Sequence, residues 1–295
     1  MAGLRLDGYR QARLRAFATA SELHWLAKLG LAAGFAGFTA LLAQVSLPLP
    51  WTPVPLSLVT FAVFLTGTCL GPAWGAASLG LYLLAGALGL HVFAPSDDAF
   101  NPGSPWSADR WKVLVPDAAA GTGFTAGYLF GFVAAGGFIG WALRRRGDRL
   151  DGPVFWSVVC GLIALLGGAA VAALFLRGSG SFATASSGSA YDAGLDAAWL
   201  FAAAFLVLTP AVAWLVTRSR NGSEALNLFL ILLAATALVH APGVVVLKWT
   251  LGWSWSQAFA LGSTVFLPFD ALKAGAAVLA SLPFLPTRSK PDPEA

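Results

Sequence analysis

Long apolar runs separated by short polar breaks dominate the chain. Polar residues do not recur within them at the period of two that a half-buried strand requires. A helix needs about 20 mainly apolar residues to cross roughly 30 Å of hydrocarbon. Eight stretches approach or exceed that length: about 28–47, 54–71, 73–94, 118–143, 154–176, 196–217, 225–249 and 256–282. The pattern predicts an all-α, polytopic transmembrane helix bundle, because backbone polar groups in hydrocarbon must be satisfied within the protein. A transmembrane β-barrel would show alternation in segments of about ten residues. The second and third runs are joined only by the sequence GPAWG, from Gly71 to Gly75. Pro242 lies inside the seventh run and is expected to kink or break it.

Composition agrees with this reading. Of 295 residues, 57% are hydrophobic and 11% charged, whereas a soluble domain carries about 25% charged residues. The net charge of +4 is no footprint for nucleic acid. Its excess sits in Arg-rich loops, where membrane orientation places it. With a cytoplasmic N-terminus, Arg5, Arg10, Arg13 and Arg15 lie inside, as do Arg144, Arg145, Arg146, Arg149, Arg218, Arg220, Arg288 and Lys290. The outer loops then hold Arg110, Lys112 and Arg177. The expectation is a multi-pass protein of the cell membrane with both termini cytoplasmic. The segment 1–27 is polar and Arg-rich without the apolar stretch of a signal peptide, and is expected to form a short interfacial helix. The outer loop 95–117, rich in Pro and Trp, is expected to act as a lid. Loop 177–195 is rich in Ser and Gly.

The chemistry-bearing feature is FLPFDALKAG, residues 266–275. Asp270 and Lys273 lie mid-span, where each charge costs about 2.5–3.5 kcal/mol on insertion scales. Their i, i+3 spacing puts them on one helix face, so each offsets part of the other's cost. One reading is an ion pair that only locks helix packing. The other is a ligand site in which Asp270 accepts and Lys273 donates hydrogen bonds, with Pro268 opening the backbone nearby. His240, mid-span, reads as a hydrogen-bonded core residue, and Lys248 as a snorkelling cation. Gln44, Thr60, Tyr82 and Tyr128 either line a site or bond to neighbouring helices. Ala32, Ala36 and Ala40 form a small-residue face on the first span, and Gly123, Gly127, Gly131 and Ala135 another on the fourth. No P-loop, H-E-x-x-H or G-x-S-x-G pattern occurs, so neither a bound nucleotide nor a metal or other cofactor is expected. Cys69 and Cys160 read as apolar filler. GTGFTAG, residues 121–127, enters an apolar helix with no strand before it, so it is no dinucleotide loop.

The stretch 43–94 resembles the N-terminal signature of the BioY family, the biotin-binding S components of energy-coupling-factor transporters. The similar elements are Ala43–Gln44, Pro53–Pro55, Thr60–Ala62, Leu70–Pro72, Tyr82–Gly89 and Val92–Ala94. FTAGYLFGF, residues 124–132, is similar to the family's Gly-Pro-Thr-Gly-Gly-Tyr-Leu-x-Gly-Phe, and LPFDALKA, residues 267–274, resembles its closing Pro-x-Asp-x-x-Lys. Val59, His91 and Phe124 depart from the pattern. The resemblance implies biotin as ligand, held by Asp270 and Lys273, with Arg110 as the basic residue of the loop after the third span. It implies further contacts from Thr60, Tyr82, Thr125 and Tyr128, and from Trp106 or Trp111 of the lid. It also implies partners: a membrane T component docking on Ala32, Ala36 and Ala40, and a pair of cytoplasmic ATPases. The family has six spans. The chain is therefore expected to divide into a core over 28–150, an inserted transmembrane hairpin over 151–222, the last two core spans over 223–282 and a tail over 283–295. An S component for another small vitamin, an intramembrane enzyme using Asp270 as acid or base, and a structural accessory protein are the alternatives.

Overall fold

A computed structural model describes residues 24–49, 51–94, 110–119, 123–145, 163, 189–218 and 222–281. Six described helices are long and apolar enough to cross a membrane. In chain order the elements are α1 (Trp25–Gln44), β1 (Ser46–Leu49), β2 (Thr52–Ser57), α2 (Val59–Ala87), a 3-10 turn (Arg110–Leu114), α3 (Ala126–Arg145), α4 (Ser189–Thr217), α5 (Gly222–Leu251), α6 (Trp255–Phe259), a π turn (Ala260–Thr264) and α7 (Leu267–Ser281). The protein is thus a mostly helical, polytopic membrane protein. The expected span 154–176 apart from Ile163, most of the N-terminal segment, loop residues 95–109 and the tail lie outside the described residues.

Helix α2 covers both the second and third expected spans. Its backbone leaves helical geometry at Gly71, where φ is 76° and ψ −174°. Only glycine takes such angles without steric cost, and Pro72 then opens the next helical stretch, where its missing N–H costs nothing. The two arms fold back on each other: a Cβ at Gly75 would lie 3.3 Å from the Gly67 Cα. Residues eight apart in a straight helix would be about 12 Å apart.

Three expectations need correction. The second span was expected from residue 54, but Thr52–Ser57 is a strand paired antiparallel with Ser46–Leu49, in the register Ser46↔Ser57, Leu47↔Leu56 and Leu49↔Thr52. Pro48, Pro53 and Pro55 explain this, since each lacks a helical donor and biases the residue before it toward extended backbone. Helix α5 runs unbroken through Pro242. It packs there against α3, where the Pro242 carbonyl leaves no room for a Cβ at Gly127. The eighth run is two helices and a π turn rather than one helix.

Helix α2 packs on both α1 and α3, α3 on α5, and α7 on α2, α4 and α5. Helix α4 is therefore part of the bundle rather than an appendage, with Val212 packed at Gly275 of α7. Large apolar side chains such as Leu26, Leu41, Val207 and Trp249 face outward, as a lipid solvent permits. Helix α5, 30 residues long, spans roughly 45 Å. Near its start, Arg218 lies 3.8 Å over the Trp214 ring. At its far end Lys248 Nζ sits 5.7 Å from Trp249 and 5.1 Å from Trp255. Such aromatic and cationic pairs belong at the two membrane–water interfaces.

Candidate functional site

The corner between α6 and α7 builds the site. A π turn widens the helix, and its Val265 N–H returns to the Ala260 carbonyl. Two adjacent carbonyls, of Leu261 and Gly262, accept from side chains instead. Thr52 at the hairpin donates to Leu261 at 2.9 Å. Tyr128 of α3 donates its hydroxyl to Gly262, and His240 Nδ1 of α5 lies 3.3 Å from the same oxygen. Helix α7 then starts afresh. Pro268 falls in its first turn, where donors have no intrahelical partner, and Asp270 lies in that turn as well, where the helix dipole favours a carboxylate.

Asp270 is 2% exposed. Lys273 Nζ donates to its Oδ1 at 2.9 Å, and His240 Nε2 meets its Oδ2 at 2.8 Å. The His240 ring stacks on Phe266 at 6.2 Å and takes the Tyr128 ring edge-on at 5.9 Å. Phe269, next to Asp270 in the chain, ends an aromatic row that runs from Trp51 through Phe201, with centroids 6.4 and 6.3 Å apart. The Trp51 Nε1 is buried without a hydrogen-bond partner among the described residues. The Asp270 cluster brings an acceptor, donors and the rings of Tyr128 and Phe266 together.

The expected site residues fall into groups. Asp270, Lys273 and Tyr128 come together. Thr125 stands just ahead of α3, its carbonyl accepting from the Tyr128 and Leu129 amides. Thr60 is buried in the first turn of α2. Tyr82 is buried against Phe93, its hydroxyl without a partner among the described residues. Neither Thr60 nor Tyr82 is hydrogen-bonded to the Asp270 cluster among the described residues. Arg110 begins the 3-10 turn, but its side chain lies outside the described residues, as do Trp106 and the Trp111 side chain. Gln44 ties α1 to the carbonyls of His91, Val92 and Phe93 at 3.3–3.4 Å, so it bonds to a neighbouring segment. Ala32 is fully buried, and its carbonyl accepts from Ser78 at 2.8 Å. Ala36 and Ala40 are half-buried against the same core. The exposed small residues of α1 are instead Ala27, Gly30, Ala33, Gly34 and Gly37. Sequence reasoning missed the hairpin, Trp51 and the partner of His240.

Residues 14–102 and 178–289 match the BioY family, more than half of the chain. The chain belongs to the BioY family. Over 112 residues it is 41% identical to a biotin transporter BioY of Thermotoga maritima, covering 37% of this chain and 54% of that protein. Over 67 residues it is 43% identical to a probable biotin transporter BioY of Pyrococcus horikoshii, covering 23% and 40%. The chain thus spans about half the length of the curated relatives it matches. At 18% identity it resembles the S-component for biotin from an ECF-type ABC transporter, over 86% of this chain and 88% of that one, with a TM-score of 0.48. The BioY match includes the hairpin, α2, His240, Asp270 and Lys273, whereas Arg110, Thr125 and Tyr128 fall in the unmatched stretch 103–177. Of the expected insertion over 151–222, the part from 178 onward lies within the BioY match.

Proposed function

We propose that this BioY family member is the substrate-binding membrane subunit, or S component, of a biotin uptake transporter, capturing biotin from the outer face. The observation that carries this reading is the buried Asp270–Lys273 pair, on a helix whose Phe269 joins an aromatic row. A carboxylate oxygen accepts about two hydrogen bonds and an ammonium donates three. Asp270 therefore keeps acceptor capacity on both oxygens, and Lys273 keeps donors beyond the one it gives Asp270. Biotin supplies two ureido N–H donors, a carbonyl and a carboxylate. Asp270 accepts from the ureido group and Lys273 donates to a biotin oxygen. Trp51, Phe201 and Phe269 cover the apolar rings, and the Trp51 N–H gains the acceptor it lacks. Thr60, Tyr82, Thr125 and Tyr128 line the remainder, and Arg110 meets the carboxylate.

Transport requires partners: a membrane T component and a pair of cytoplasmic ATPases. The T component docks on α1, on the side that exposes Gly30, Ala33, Gly34 and Gly37, with both termini of the chain cytoplasmic. The inserted segment narrows to the stretch before residue 178. Binding of radiolabelled biotin to purified wild type and Asp270→Asn tests the reading. Micromolar or tighter binding lost in the variant supports it; wild-type protein that ignores biotin sinks it. Binding of a different vitamin, or turnover of a lipid substrate dependent on Asp270, would point to the alternatives.

A further inference from the structure

We infer that His240 is a positioning residue for ligand binding, which fixes the plane of the Asp270 carboxylate so that its unused lone pairs face the guest. The inference rests on the biotin reading and deepens it. A carboxylate plane turns freely, because its terminal torsion is broad. Lys273 does not fix that plane. It reaches Oδ1 from the same helix on a flexible four-carbon stem. His240 comes from α5 and holds the other oxygen, Oδ2, at 2.8 Å. Two anchors on two oxygens define the plane.

The imidazole is itself immobilised. Phe266 stacks on one face at an interplanar angle of 29°, and Tyr128 meets it at 89°. Nδ1 faces the Gly262 carbonyl, which also receives the Tyr128 hydroxyl. His240 is 4% exposed, within the wall formed by α3, α5 and the π turn. Packing alone could be served by any flat or branched side chain. The contact to Oδ2 needs a donor at the reach of Nε2.

The test compares side chains that differ in reach. The amide nitrogen of Gln overlays Nε2, whereas that of Asn stops near Nδ1. Binding of radiolabelled biotin to the purified full chain is measured for wild type, His240→Gln, His240→Asn and His240→Leu, with thermal midpoints recorded without ligand. The expected result is affinity within about threefold of wild type for His240→Gln and a loss of about tenfold or more for His240→Asn and His240→Leu. His240→Asn, which leaves Oδ2 one donor short, should melt below His240→Gln, and affinities are compared at a temperature where both are folded. If His240→Leu does not fold, the two amides carry the comparison. Equal affinities of His240→Gln and His240→Asn, high or low, overturn the inference. Wild type that binds no biotin overturns the ligand reading and this one together. Binding removed by Asp270→Asn but kept in His240→Asn overturns this inference alone.

Discussion

Asp270 is a buried charge held from two helices, and its energetics follow from that. Removing one partner of a buried pair costs about 3–5 kcal/mol, whereas replacing both members with apolar residues is often neutral. Lys273→Met should therefore melt at a lower temperature than the double variant Asp270→Leu/Lys273→Leu, as read by thermal unfolding in detergent. The reverse order would show that the pair is not the stabilising unit. Tyr128→Phe removes the buried hydroxyl that donates to the Gly262 carbonyl and should cost about 1 kcal/mol. The pair was legible in the sequence because two charges at helical spacing stand out in an apolar run. The engagement of His240 was not. It joins residues 30 positions apart, and no local pattern records which face of α5 turns toward α7.

Among the elements, the irregular ones were hidden and the regular ones visible. Hydrophobic length found the helices, since hydrocarbon demands it. It could not separate the Pro-rich hairpin from the start of α2, because both are apolar. Nor could it see the π turn, whose cause is a tertiary demand for two free carbonyls. The staple from Thr52 to Leu261 joins hairpin and turn. Thr52→Val should cost about 1 kcal/mol and speed proteolytic cutting within residues 46–57, while unchanged cutting would show that the strand pair stands without the staple. At Gly127 any side chain meets the Pro242 backbone. Gly127→Val should sharply lower the yield of folded protein, measured by size-exclusion profile, because neither backbone can retreat without parting α3 from α5.

For the whole molecule, the distribution of Lys and Arg gives an orientation that labelling can check. With Cys69 and Cys160 replaced by alanine, Ala118→Cys should react with an impermeant maleimide in intact cells. Thr217→Cys should react only after permeabilisation. The opposite pattern would invert the bundle. One feature of the corner at Leu261 and Gly262 reaches further. Thr52 and Tyr128 are made long before the peptide oxygens they bind, and His240 before the Asp270 carboxylate. During synthesis at the ribosome, α1 through α5 enter the bilayer while those side chains wait for acceptors that do not yet exist. A nascent chain stopped before residue 260 would carry two hydroxyls and an imidazole without the acceptors they meet in the folded protein. The π turn and α7 therefore supply, later in the chain, the acceptors for side chains that the hairpin, α3 and α5 place earlier.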